Sequence, residues 1–178
     1  MKKFFVCLAL TTALVGCDTV QAPQYMSNSN NTIKLMELAA AGEKANVASV
    51  SFSQGVDDKP SCRLMGELDI AGGSSTAEKI KGAIQKEFLE GNVYSSNGTG
   101  INVTMTQMDV STLNGTWDLA AKVTSNKNVA GFVASSSTDY KTSFSAMYAC
   151  DNAAKAFNVA LGELINRIVT HPDFPKTI

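Results

Sequence analysis

Apolar and polar residues along the chain change period several times, and each change marks an element. Residues 18 to about 31 have no period: Asp-Thr-Val-Gln-Ala-Pro-Gln-Tyr-Met-Ser-Asn-Ser-Asn-Asn reads as a flexible polar tether. Ile33 to Ala41 fits a strand or a short helix equally well. Ala48, Val50 and Phe52 alternate with serines, as in a half-buried strand, and Gly55 to Pro60 has turn chemistry. Alternation resumes from Cys62 to Ile70, with Cys62, Leu64, Leu68 and Ile70 on one side, and stops at Gly72-Gly73. Ser75 and Glu78 then form a capping box. Behind it Ile80, Ala83, Ile84, Glu87 and Phe88 follow helical spacing as far as Gly91, which suits a helix C-terminus.

The second half is more regular. Ile101, Val103 and Met105 share a face, and the apolar phase slips to Met108 and Val110, which predicts a bulge near Thr106-Gln107. Asn114-Gly115 predicts a hairpin, with Trp117, Leu119, Ala121 and Val123 on the return strand. A third, longer strand carries Phe132, Ala134, Tyr140 and Phe144, and its run Ser135 to Thr138 marks an edge or an exposed face. A last helix, capped by Asp151, has a wide apolar stripe from Ala153 to Ile168 and stops at His171-Pro172, with Phe174 folding back. The order ββαβββα predicts an α+β domain over residues 33–178. Its sheet is antiparallel, of about five strands, with two helices on one face.

The N-terminus follows a different logic. Met1-Lys2-Lys3 precedes a dozen apolar or small residues, the pattern of an export signal and too short to span a bilayer. Leu14-Val15-Gly16-Cys17 at its end resembles the lipobox of bacterial lipoproteins. That resemblance implies a signal peptide over residues 1–16, diacylglycerol on the Cys17 thiol and an acyl chain on its new amine. Residues 17–32 are then the lipidated N-terminus and tether. The alternative is an ordinary signal with a chance cysteine. Asp18 matches an inner-membrane retention residue of enteric bacteria, and the choice between inner and outer membrane stays open.

Of the four cysteines, Cys7 leaves with the signal and Cys17 carries lipid. Cys62 and Cys150 remain, and an even pair in an exported domain predicts a disulfide. Two free buried thiols, or a redox or metal site, are the alternatives; no CxxC spacing or neighbouring histidine supports the latter. Removing Lys2 and Lys3 takes the formal charge from −1 to −3, which argues against nucleic acid.

Candidate chemistry is sparse. His171 is the single imidazole, and no nucleophile elbow, zinc motif, P-loop or dinucleotide fingerprint occurs. Asp57-Asp58 lacks calcium-loop spacing. Glu87 and Glu90 share a helix but have no evident partner carboxylate, and Lys79, Lys81 and Lys86 form a small basic face, either solvated or touching a membrane surface. Trp117 and methionines such as Met105, Met108 and Met147 read as core, or as an adaptable binding surface.

Taken together, the lipobox, the segment from Ile101 to Ile168 with its Asn114-Gly115 turn, and Trp117-Asp-Leu-Ala-Ala-Lys-Val123 resemble the small YajG-type lipoproteins. The likeness extends more loosely to auxiliary lipoproteins of envelope lipid-transport systems. Cys62-Arg63-Leu64-Met65-Gly66 and Ala149-Cys150 are similar to segments of other envelope lipoproteins. The likeness covers roughly residues 45–170. It implies an α+β domain and a non-enzymatic envelope role, with no catalytic residues to transfer. The expected protein is lipid-anchored, faces the periplasm and is not an enzyme. It acts in assembly, transport or maintenance through an envelope protein partner, with no cofactor beyond the covalent lipid on Cys17, no metal and no nucleic acid. The alternatives are a carrier or sensor of an apolar ligand held between helices and sheet and, third, a hydrolase.

Overall fold

The structure, a computed structural model, describes residues 23–63 and 65–178. The expected signal, Cys17, Asp18 and the start of the expected tether lie outside the described residues. No helix among the described residues is long and apolar enough to cross a membrane.

The core element is a four-stranded sheet. β1 (Ala45–Phe52), β4 (Thr99–Ser111), β5 (Thr116–Ser125) and β6 (Phe132–Asp139) lie in the order β1-β4-β5-β6. β4, β5 and β6 form the expected antiparallel meander, but β1 pairs with β4 in parallel. The sheet is therefore mixed and four-stranded, where the sequence predicts an antiparallel sheet of about five. The cause is topological: α2 (Thr76–Glu90) lies between β1 and β4 in the chain, and a helical crossover returns the chain in the same direction. The fifth strand shrinks to a small hairpin of β2 (Ser61–Cys62) and β3 (Gly66–Glu67). Arg63 (φ 39°) and Gly66 (φ 83°) both take left-handed backbone, which breaks the run, while Cys62, Leu68 and Ile70 still reach the core.

α2 follows its sequence closely. Ser75 and Glu78 make both hydrogen bonds of the capping box, and Ile80, Ala83, Ile84, Glu87 and Phe88 are buried. Gly91 does not take the left-handed conformation; Asn92 does, at φ 57°. Gly91 is needed for space, because a Cβ there would come within 2.3 Å of Leu35 Cβ. α3 (Ala146–Val169) starts earlier than expected, with Ser145 at its N-cap. Asp151 lies inside it and pairs with Lys155 at 2.7 Å. Accordingly β6 ends at Asp139, and Tyr140 and Phe144 belong to the connection into α3. Phe174, in the short α4 (Phe174–Thr177), does fold back, with its ring centroid 6.1 Å from that of Phe88.

α2 and α3 cover one face of the sheet. On that face Trp117 is fully buried, its ring centroid 5.2 Å from that of Phe157 and its indole N–H donating to the Ala153 carbonyl at 2.9 Å. The register of β4 slips between Met105 and Gln107, where the bulge is expected. A second slip, between Val47 and Ser49, turns Ala48 outward while Val50 and Phe52 rest partly buried on the core. The ambiguous segment is helical: α1 (Ser29–Ala40) packs Asn31, Leu35 and Leu38 against α2 and α3.

The β4–β5 turn sets one clear expectation. Gly115 has φ +77°, and a Cβ there would sit 2.2 Å from the Tyr140 carbonyl oxygen. Gly115→Ala should destabilise the domain by about 1–3 kcal/mol, the range for strained left-handed backbone, read as a lower urea midpoint at unchanged slope.

Candidate functional site

The feature that organises one side of the molecule is a carboxylate with no access to solvent. Glu87 occupies an apolar position of α2 and is fully buried. A buried charge is costly unless hydrogen bonds compensate it. Its Oε1 accepts three, from the segment leading into α1 and from the first turn of α1: the Tyr25 hydroxyl at 2.5 Å, the Asn28 backbone N–H at 2.9 Å and Asn31 Nδ2 at 3.1 Å. Oε2 has no hydrogen-bond partner among the described residues. Asn31 joins this cluster to α3, donating to the Gly162 carbonyl at 3.3 Å and accepting from Asn166 Nδ2 at 2.9 Å. Asn28 serves twice, since its side chain also caps α1 by accepting from the Asn30 N–H.

The bonds continue toward the N-terminus. Lys86 Nζ donates to the Tyr25 carbonyl at 3.1 Å, and Lys79 Nζ to the Pro23 carbonyl at 3.0 Å, where Asn158 of α3 also donates. Ser27 donates to Glu90. Residues 23–28 therefore form a strap across α2 and α3. Two of the three lysines of the basic face, Lys79 and Lys86, are committed to strap carbonyls, and Lys81 donates to the Ala48 carbonyl at 3.1 Å. Residues 25–31, which the sequence assigns to the tether, are docked, because their amides and one phenol answer the charge of Glu87. Burial, then the hydrogen bond to Glu87 and the negative charges of Glu87, Glu90 and Glu163, push the Tyr25 phenol well above its usual range.

A second cluster lies at the end of the domain where α3 begins. Cys62 and Cys150 are paired as a disulfide, with Cα atoms 5.7 Å apart and 88 residues apart in sequence. Next to it, Arg63 reaches across: its guanidinium donates to the Thr112 carbonyl and hydroxyl, the Thr142 hydroxyl and, at 3.3 Å, the Phe144 carbonyl. Thr142 also donates to the Thr112 carbonyl. Three loops, the β2–β3 turn, the β4–β5 hairpin and the approach to α3, are thus held as one body.

The remaining candidates resolve individually. His171 stacks on Phe132 with centroids 4.1 Å apart, and its Nδ1 accepts from the Asp173 N–H at 3.1 Å. Asp57 accepts from the Lys59 N–H, as expected of a turn. Met105 and Met108 are core, whereas Met147 is exposed. Among the described residues no group of three His, Cys, Asp or Glu side chains could hold a metal. Cys17 and Asp18 lie outside the described residues. The described residues include two clefts of note. One, of about 390 Å³, lies among residues 58–76, and the other, of about 370 Å³, lies between the strap and α3 at Met26, Asn158, Val159 and Gly162. Neither lies between the helices and the sheet.

Tyr25→Phe should cost about 1.5–3 kcal/mol, as for a hydrogen bond to a charged group, and expose the strap to proteolysis. Because the Tyr25 phenol titrates above its unfolded value of about 10, its contribution is complete below that pH and is lost as pH rises through the folded-state value. The highest-pH step in an ultraviolet tyrosine titration should therefore be missing from Tyr25→Phe. Reduction, or the paired change Cys62→Ser with Cys150→Ser, should cost about 2–5 kcal/mol by denaturant unfolding.

No protein-family model and no curated protein matches the chain.

Proposed function

We propose that the chain is a bacterial lipoprotein, anchored through acylated Cys17 and facing the periplasm, whose domain acts without catalysis by binding an envelope protein at the open edge of β6. The observation that carries the binding surface is the position of β6. It is one of the two edge strands, paired only with β5 among the described residues. Its outward side chains, Val133, Ser135, Ser137 and Asp139, are exposed, so the open backbone edge is flanked by short side chains. An incoming strand finds little steric obstruction there. The lipid anchor is supported by Leu14-Val15-Gly16-Cys17 and the charged and apolar stretch before it. The reading as a carrier of an apolar ligand draws no support from the packing, because Trp117, Phe157, Phe88 and Ile84 fill the space between helices and sheet. Asp18 leaves the choice of membrane where the sequence left it.

Two experiments test the two parts. Cys17→Ala should shift the protein from the membrane fraction to the soluble fraction, and an unchanged distribution overturns the anchor. A photo-crosslinking residue at Ser137 should yield one discrete adduct in cells, which Ser135→Lys weakens at equal protein level. The same residue at Asn102, exposed on central strand β4, should yield none. Equal labelling at both positions refutes partner binding at the edge.

A further inference from the structure

The docked strap shortens the tether, which leaves only a short stretch of chain between Cys17 and the body of the domain. Only residues 18–22 separate Cys17 from Pro23. Whatever their conformation, six Cα-to-Cα steps span at most about 20 Å. The strap also has a direction. Pro23 is held beside Lys79 and Asn158, Tyr25 and Asn28 beside Glu87, and Asn31 beside Gly162 and Asn166. Traced back toward residue 23, the chain climbs α2 and α3 toward their N-termini. From Asn158 to Tyr148 along α3 is about 15 Å, within reach of the tether.

The end it climbs toward is apolar on its surface. Phe144 is fully exposed, and Leu113, Met65, Met147 and Tyr148 are each more than half exposed. Met65, Leu113 and Phe144 come from the three loops that Arg63 and the Cys62–Cys150 bond hold together, and Met147 and Tyr148 from the first turn of α3 that follows the third. Single exposed apolar residues are ordinary, but five on one braced end are an interaction surface. The guanidinium of Arg63 is turned onto Thr112, Thr142 and the Phe144 carbonyl, so the surface offers apolar and aromatic groups in place of a cationic patch.

We infer that this end, Met65, Leu113, Phe144, Met147 and Tyr148, inserts into the interfacial region of the lipid bilayer that holds Cys17. The inference rests on the reading of Cys17 as the lipid-bearing residue. Insertion buries apolar side chains at the depth where aromatic rings favour the interface. It also orients the domain, with α2 and α3 rising from the membrane and β6 running back toward it, so that Asp139 is the end of β6 nearer the bilayer.

The test uses the lipidated protein reconstituted into phosphatidylcholine vesicles, with ordinary or dibrominated acyl chains. Phe144→Trp should show a blue-shifted emission that brominated chains quench, and Met147→Trp should behave likewise. Val133→Trp, on the outer face of β6, should not be quenched, and neither should buried Trp117 in the parent protein. Vesicle flotation separates the two ideas. If the protein floats but neither tip tryptophan is quenched, the inference is overturned while the anchor stands. If it does not float, both fall. Shielding of the tip tryptophans from acrylamide only after an envelope extract is added, without quenching by brominated lipid, assigns the surface to a protein and also overturns the inference.

Discussion

The structure depends on one buried carboxylate. Glu87 lies in a helix face that is otherwise apolar, and a charge there must be met by hydrogen bonds from nearby. The donors that reach Oε1 are Tyr25, Asn28 and Asn31, all from the segment ahead of the sheet. Meeting that charge pulls the segment onto the helices, starts α1 where Asn28 can cap it and brings Leu35 against Gly91. A polar stretch with no periodicity thereby becomes part of the domain. Its length is no longer available as reach, and only residues 18–22 separate the proposed lipid attachment at Cys17 from the docked strap.

The sheet supplies the rest of the frame. The β1-α2-β4 crossover sets α2 beside α3 on one face, so the strap can bridge the two. The same arrangement leaves β1 and β6 as edges. Each has a helix packed against its face, but β1 also bears the slip at Ala48, which makes a regular ladder harder to extend there. β6 pairs in unbroken register with β5 from Thr116 to Val123, which leaves it straight and open on its far side. Of the two edges, β6 is the better template for an added strand.

Much of this was legible in the sequence wherever a local rule determined the outcome. The capping box at Ser75, the bulge after Met105, the buried Trp117 and the returning Phe174 each follow from a short-range pattern and appear as expected. The Cys62–Cys150 pair follows from counting cysteines. What could not be read depended on groups far apart in the chain. The parallel pairing of β1 requires knowing that α2 crosses between two strands of one sheet. The docking of residues 25–31 requires a charge some sixty residues away, and its only local trace was Glu87 at an apolar helical phase. The run from Cys62 to Ile70 alternates like a strand but contains Arg63 and Gly66, whose left-handed backbone makes it a turn. Asp151 was a reasonable cap by type, yet Ser145, with no side-chain hydrogen bond of its own, precedes the first turn because the disulfide and Arg63 hold that turn in place.

That last point clarifies what the disulfide does. The interior, with Trp117, Phe157, Phe88 and the β4–β5 ladder, has the packing of an ordinary domain and does not need a covalent staple to form. The loops around Cys62, Thr112 and Phe144 are different. β2 and β3 have two residues each, and the chain from Tyr140 to Ser145 has no strand partner. Ordering such loops costs conformational entropy that few local contacts offset. The disulfide fixes one loop to α3, and Arg63, next in sequence to Cys62, fixes that loop to the other two through carbonyl and hydroxyl acceptors. Covalent bond and guanidinium act on the same small region, which also carries the exposed side chains of Met65, Leu113 and Phe144. Their combined effect is to hold Phe144, Leu113 and Met65 in a fixed arrangement, so that contact at this end need not first order the loops that make it.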